Sequence, residues 1–135
     1  MTRRWALALS GVVVAAALAG CSGQSLNTNG VTVLVGERAN GGMAAQGGGR
    51  LEVLDGCLGA SGDVIVWPFG TEVVDDDPLT IQIPEDGSFA VGDEMTVAGG
   101  YVLEHSSTAR DAGPFEIAGV TIPTACAEND IFLAT

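Results

Sequence analysis

A run of carboxylates forms the sharpest polar cluster in the sequence. Asp75, Asp76 and Asp77 are consecutive, and Glu85-Asp86 follow across a predicted hairpin. Carboxylate oxygens suit Ca²⁺, which takes about 6–8 oxygen ligands. The spacing is not that of an EF-hand loop, which needs alternating acids, a central glycine and a late glutamate. These five residues are therefore candidate cation ligands, and a solvated turn before Pro78 is the simpler interpretation.

The single histidine, His105, precedes Ser106-Ser107 and lies near Asp111. A Ser-His-Asp triad is recognised by three-dimensional roles rather than by adjacency, and nothing here resembles a nucleophile elbow. We interpret His105 as an exposed loop residue, and we predict no catalytic residue and no cofactor. The composition leaves a glycosidase with paired carboxylates as an alternative. However, a small domain with few aromatic side chains offers a poor cleft for a sugar.

Three aromatic residues, Trp67, Phe69 and Tyr101, are candidates for a binding face. Trp67 and Phe69 are two residues apart, so both point the same way in an extended segment. Because only 5% of the chain is aromatic, the same rings are also the ones available to build a core. We favour Trp67 as a core residue that Phe69 covers, with the binding face as the alternative.

The N-terminus has the pattern of an export signal. Arg3 and Arg4 precede an apolar run over residues 5–18, and small residues lead from this run to Cys21. A basic start, an apolar stretch of about 7–15 residues and a small-residue exit are typical of a secretory signal. A transmembrane helix needs roughly 20 apolar residues, and this run is shorter. We predict that residues 1–20 are removed.

The segment Leu18-Ala19-Gly20-Cys21 closely resembles the lipobox of bacterial lipoproteins. In that family the cysteine thiol receives a diacylglyceryl group, the signal is cut just before it, and the new amino group is usually acylated. The resemblance implies that Cys21 carries a lipid anchor, with membrane lipid as its partner, on the extracytoplasmic face of the cell membrane. Two or more acyl chains give stable attachment, whereas one chain is marginal. We expect residues 21–29 to form the lipidated cysteine and a flexible polar tether.

Processing makes the chain more acidic. The full sequence has 17 acidic and 5 basic residues and a net charge of −12, and the signal holds two of the arginines and no acid, so the 115 remaining residues carry −14. Nucleic-acid binding uses clustered Lys or Arg, so we predict no nucleic-acid partner. A charge of this size favours a soluble monomer, and a cation or a basic envelope protein stays open as a partner.

Cys57 and Cys126 remain after processing and allow only one intramolecular pairing. In an oxidising compartment we predict that they form a disulfide. Closing a loop of about 70 residues contributes roughly 4.4 kcal/mol in the chain-entropy model. A redox or metal pair is the alternative, although the sequence has no CxxC motif.

Short apolar runs bounded by glycine and acidic turns predict a single all-β domain over residues 30–135. No segment has a helical stripe of sufficient length. We expect a small, mostly antiparallel barrel or sandwich, with an OB-like barrel as one form, and a mobile loop over residues 39–49. The predicted strands cover residues 31–35, 50–54, 63–67, 79–83, 88–91, 94–97, 101–104, 120–122 and 131–134.

A second resemblance covers roughly residues 51–101. Gly56-Cys57-Leu58, the VIVWPFG stretch over residues 64–70, Val91-Gly92-Asp93 and Gly99-Gly100-Tyr101 are similar to motifs of small exported lipoproteins of GC-rich bacteria. That family has no assigned activity, so the resemblance supports the architecture and implies no mechanism. We expect a membrane-anchored, non-enzymatic binding or accessory domain of the cell envelope. The alternative is an envelope hydrolase or a Ca²⁺-dependent protein that uses Asp75–Asp77.

Overall fold

The structure, a computed structural model, describes residues 22–39, 42–104 and 114–135. These residues form short strands and one short helix, which confirms the predicted all-β class. In chain order the elements are β1 (Gln24–Thr28), β2 (Val31–Val35), β3 (Ala45–Leu54), β4 (Cys57–Ala60), β5 (Asp63–Trp67), β6 (Glu72–Asp76), β7 (Leu79–Ile83), β8 (Gly87–Ala90), β9 (Glu94–Leu103), β10 (Phe115–Ile117), β11 (Val120–Ile122), α1 (Thr124–Ala127) and β12 (Asp130–Ala134).

Six strands close into a barrel. The sheet runs β2-β4-β3-β9-β12-β5, and pairing of β5 with β2 joins its two ends, while β1 pairs with β2 outside this ring. β2 and β12 both lie parallel to β5, whereas β9 is antiparallel to β3 and to β12. Apolar alternation in a sequence does not distinguish parallel from antiparallel pairing, so this parallel trio is a finding of the structure.

Successive side chains of the barrel strands point to opposite faces and contribute to two apolar clusters. On β5, Ile65 and Trp67 belong to the larger cluster, and Val64 and Val66 belong to the smaller one. The larger cluster also receives the alternate residues of β7, the central strand of a separate β6-β7-β8 sheet. The smaller cluster includes residues of β11 and α1. Burying each large apolar side chain contributes about 1.5–3 kcal/mol, so both clusters stabilise the barrel.

The predicted disulfide is confirmed. Cys57 begins β4 and Cys126 lies in α1, with their Cα atoms 5.7 Å apart and a sequence separation of 69. Both residues are buried in the smaller cluster. The bond therefore ties the barrel wall to the short helix that covers it.

The tether predicted over residues 21–29 differs from the structure. Gln24–Thr28 form β1, and Leu26 packs against the larger cluster. Asn29 and Gly30 have φ values of 50° and 78°, which suit the two-residue turn between β1 and β2. The domain therefore begins before residue 30, and polar side chains on an edge strand explain why its start resembles a tether.

The mobile loop predicted over residues 39–49 is wrong for residues 45–49, which belong to β3. Gly47 packs against Phe132, and a Cβ on it would lie 2.6 Å from the ring. The glycine run therefore reflects close packing within a strand. Likewise, β9 runs unbroken through Gly99-Gly100, so the two strands predicted over residues 94–97 and 101–104 are one strand, Glu94–Leu103.

Candidate functional site

A cavity of about 760 Å³ opens where β2, β5 and β12 end. The carboxyl ends of the three strands meet there because the strands are parallel neighbours. Glu37 and Arg38 follow β2, Pro68 and Phe69 follow β5, and Thr135 follows β12, and all five line the cavity. This volume lies within the range of about 300–1,000 Å³ that is typical of ligand pockets.

Backbone hydrogen bonds fix the segment that carries Glu37 and Arg38. The N–H of Gly36 donates to the carbonyl of Trp67 at 2.8 Å, and the N–H of Glu37 donates to the carbonyl of Ala118 at 2.7 Å. The first bond joins this segment to β5, and the second joins it to the turn between β10 and β11. The cavity wall is therefore held by the barrel and by the hairpin packed beside it.

Arg38 is the basic residue of the cavity wall. Its guanidinium carbon lies 4.5 Å from the centroid of the Phe69 ring, a cation–π arrangement worth about 0.5–1 kcal/mol at an exposed site. Within the described ranges Arg38 forms no ion pair, whereas Arg50 faces Glu94 at 3.6 Å. Stacking on Phe69 therefore orients the positive charge of Arg38 at the cavity wall.

Trp67 combines complete burial with an unmet hydrogen bond. Its side chain belongs to the larger cluster, and the residue also lines the cavity. Its Nε1 finds no acceptor among the described residues. A buried donor without a partner costs about 1–3 kcal/mol.

Tyr101 lies in a different place, on a groove of about 710 Å³ that also includes the glycines of β3. Its hydroxyl donates a 2.7 Å hydrogen bond to Oδ2 of Asp63, and its ring meets Phe132 edge-on at 5.3 Å. The hydrogen bond to Asp63 raises the pKa of Tyr101 to about 12. Partial burial and the negative charges of Asp63, Asp130 and Glu104 act in the same direction.

The alternative interpretation, in which the three aromatic residues share one binding face, does not match the structure. Trp67 and Phe69 both line the cavity, with Trp67 fully buried and Phe69 half-buried, whereas Tyr101 lines the separate groove. The interpretation of Trp67 as a core residue agrees with its burial. The remaining two rings serve separate contacts, one with Arg38 and one with Asp63.

The predicted carboxylate ligands are not gathered either. Asp75 and Asp76 end β6 and Asp77 follows them, whereas Glu85-Asp86 form the turn after β7. The five residues of β7 separate the two groups, and such a strand spans on the order of 15 Å. The described residues contain no group of three or more His, Cys, Asp or Glu that could hold a metal ion.

Asp75 instead has a local structural role. Its Oδ1 accepts hydrogen bonds from the backbone N–H groups of Asp76 and Asp77, at 2.8 and 3.3 Å. Aspartate commonly caps a turn in this way. The solvated-turn interpretation therefore describes this segment better than a cation site.

Arg38 and Glu37 are the cavity residues that sequence reasoning missed. The available signal was their position, because they directly follow a buried apolar strand. Cys21, and the group His105, Ser106-Ser107 and Asp111, lie outside the described residues. The described part of the chain has no helix that is long and apolar enough to cross a membrane.

Comparison of the chain with protein-family models, with curated proteins and with solved structures finds no match.

Proposed function

We propose that this chain is an exported lipoprotein, anchored through an acylated Cys21 to the extracytoplasmic face of a membrane. Its β domain acts there as a non-enzymatic binding or accessory domain of the cell envelope. The lipobox-like segment Leu18-Ala19-Gly20-Cys21 supports the anchor. The cavity at the ends of β2, β5 and β12 supports the binding role.

The disulfide is the observation that carries the export part of this proposal. Structural disulfides persist in oxidising compartments and are rare in the cytosol. The Cys57–Cys126 bond lies in the smaller apolar cluster, where it acts as a structural link rather than an exposed redox pair. Pairing of these two leaves Cys21 as the odd cysteine, and lipidation accounts for it.

The composition of the cavity supports binding. Apolar side chains, including the half-buried Phe69 and the exposed Met43, line the cavity together with Arg38, Glu37 and Glu85. Ligand sites typically combine an apolar lining with a few polar groups that fix orientation. A ligand with an apolar body and a hydrogen-bond acceptor suits such a lining.

Metabolic labelling with a radioactive fatty acid tests the anchor. The full chain and a Cys21→Ala variant are expressed in a bacterial host and compared by autoradiography and by intact mass. We expect label on the parent protein and none on the variant. A Cys57→Ala/Cys126→Ala variant is the matched control, because it loses two cysteines but keeps the label. A Cys21→Ala chain that still carries acyl groups would contradict the assignment.

Photo-crosslinking in intact cells tests the binding role. A photoreactive residue replaces Ala39, which lines the cavity, or Asn27, an exposed residue of β1. We expect a discrete adduct from position 39 that weakens in an Arg38→Ala background. Equal adduct yields from positions 39 and 27 would contradict the cavity as the binding site. An adduct from position 39 that keeps its full yield in the Arg38→Ala background would contradict it as well.

A further inference from the structure

We propose that the cavity end of the barrel, defined as the carboxyl ends of β2, β5 and β12 with the turn between β10 and β11, faces the lipid surface. The proposal rests on acylation of Cys21 as proposed above. It goes further because it assigns one end of the domain to the membrane and names the lipid headgroups as the surface that it meets.

Packing of Gly23 fixes where the anchor leaves the domain. A Cβ on Gly23 would lie 2.7 Å from the carbonyl carbon of Gly119 and 2.8 Å from the carbonyl oxygen of Ala118. The backbone at Gly23 is therefore pressed against this turn. Cys21 lies two residues earlier, and two residues span at most about 7 Å. The acyl chains must consequently enter the membrane beside the β10–β11 turn.

The same turn borders the cavity. Ala118 lines it and accepts the hydrogen bond from Glu37, while antiparallel pairing places Gln24 of β1 opposite Val35 at the end of β2. The anchor and the cavity therefore lie at the same end of the parallel trio. A short connection of this kind holds that end close to the headgroups.

Acidic residues cluster at the opposite end. Asp63 and Asp130 begin β5 and β12 as paired neighbours, and Asp55 accepts a hydrogen bond from Asn129 just before β12. The carbonyl of Asp76 accepts from Asn29 in the turn before β2. Five-residue strands span on the order of 15 Å, which exceeds the screening length of about 8–10 Å at moderate salt. When this end points away from the membrane, salt therefore screens the repulsion between these acidic residues and anionic lipids.

The cavity end has a more balanced charge. Arg38 lies at this end with no described ion pair, alongside Glu37 and Glu85. Met43, whose side chain is 43% exposed, and the half-buried Phe69 add apolar surface. We expect Arg38 and these apolar groups to act at the rim, because the two glutamates disfavour a lipid phosphate inside the cavity.

Lysine reactivity tests the orientation, because the chain contains no lysine. Ala39→Lys places an amine at the cavity end, and Asn27→Lys adds the same charge on β1, further from the anchor. Both lipidated proteins are inserted into preformed phosphatidylcholine vesicles. Reaction with a membrane-impermeant acylating reagent is then followed by peptide mass spectrometry. The reference is the same protein with a flexible spacer of about 20 Gly/Ser residues inserted after Ser22, which frees the domain from the surface.

We expect the introduced lysine at position 39 to react several-fold more slowly in the parent than in the spacer protein. The lysine at position 27 should react at the same rate in both. Equal rates at position 39 on protein whose mass shows the acyl chains would overturn the orientation and leave the anchor intact. Absence of acyl mass on Cys21 would instead overturn the proposed function, and the orientation with it.

Discussion

The Tyr101 hydroxyl reaches across β12 to donate a 2.7 Å hydrogen bond to Oδ2 of Asp63. Tyr101 lies on β9 and Asp63 on β5, and β12 runs between these two strands. Between them the Tyr101 ring meets Phe132 of β12 edge-on. One side chain of β9 therefore contacts the next two strands of the barrel, β12 and β5.

This contact makes the ionisation of Tyr101 a reporter of the fold. The pKa of Tyr101 is raised from 10.0 to about 12, so the stability that this contact contributes is fully present below pH 10 and is lost as the pH rises through 12. The chain has one tyrosine, which makes the phenolate absorbance specific to it. We expect a titration midpoint near 12 in the folded protein and near 10 in urea.

An Asp63→Asn variant should move that midpoint back towards 10, because the neutral amide is a weaker acceptor than the carboxylate, carries no negative charge and can donate a hydrogen bond to the phenolate. Asp86→Asn is the matched control, since it removes one carboxylate from the exposed turn after β7. A midpoint that responds equally to both variants would show that overall charge, rather than the Asp63 contact, shifts the pKa.

Removing the disulfide should cost a large part of the stability. In a Cys57→Ala/Cys126→Ala variant we expect the free energy of unfolding to fall by about 4 kcal/mol, because the unfolded chain regains the entropy of a long loop. Urea unfolding with and without a reducing agent measures the loss. The reductant should destabilise the parent and leave the variant unchanged, and a parent protein indifferent to reductant would contradict the prediction.

The contact between Gly47 and Phe132 predicts a steric penalty. Gly47→Ala places a methyl group 2.6 Å from the ring, and overpacking of this kind costs about 1–3 kcal/mol. Gly36→Ala is the control, because its Cβ would approach no atom closer than 3.4 Å. Denaturant unfolding of Gly47→Ala, Phe132→Leu and the double variant forms a cycle. We expect the smaller side chain to relieve the penalty, and strictly additive losses would argue against direct contact.

Calcium should not stabilise the protein. The carboxylates of residues 75–77 and 85–86 lie at opposite ends of β7, and the described residues form no metal-binding group. A ligand raises the unfolding temperature only when it binds the folded state in preference to the unfolded one. We expect the melting temperature in millimolar CaCl₂ to equal the melting temperature in NaCl of the same ionic strength. A specific rise that Asp75→Asn abolishes would show that these residues do assemble a cation site.

The strands that sequence reasoning located best are those with clear apolar patterns. β5 and β7 have the predicted bounds, because continuous or alternating apolar residues between turn residues leave little freedom in their placement. The disulfide followed from a cysteine count. β1 was missed because its exposed face is polar, although Asn29-Gly30 is a strong hairpin signal.

The cavity was harder to predict than the strands. Trp67, Arg38 and Thr135 are far apart in sequence, and they meet only because β2, β5 and β12 run parallel and end together. No local pattern encodes that pairing. The glycines of β3 were interpreted as a loop for a related reason, since the Phe132 ring that requires Gly47 comes from a distant strand.

The position of β12 sets the order in which this fold can be completed. It enters between β9 and β5, and its Phe132 fills the larger cluster, so the ring of strands stays open until residues 130–134 are present. During synthesis, which proceeds from the amino end, the edges of β5 and β9 that pair with β12 therefore stay unpaired until the last residues are added. Such nonlocal pairing is typical of folding in roughly milliseconds to seconds. On the proposed export route, we expect the chain to remain extended during translocation, and the Cys57–Cys126 bond to form as one of the last steps of folding.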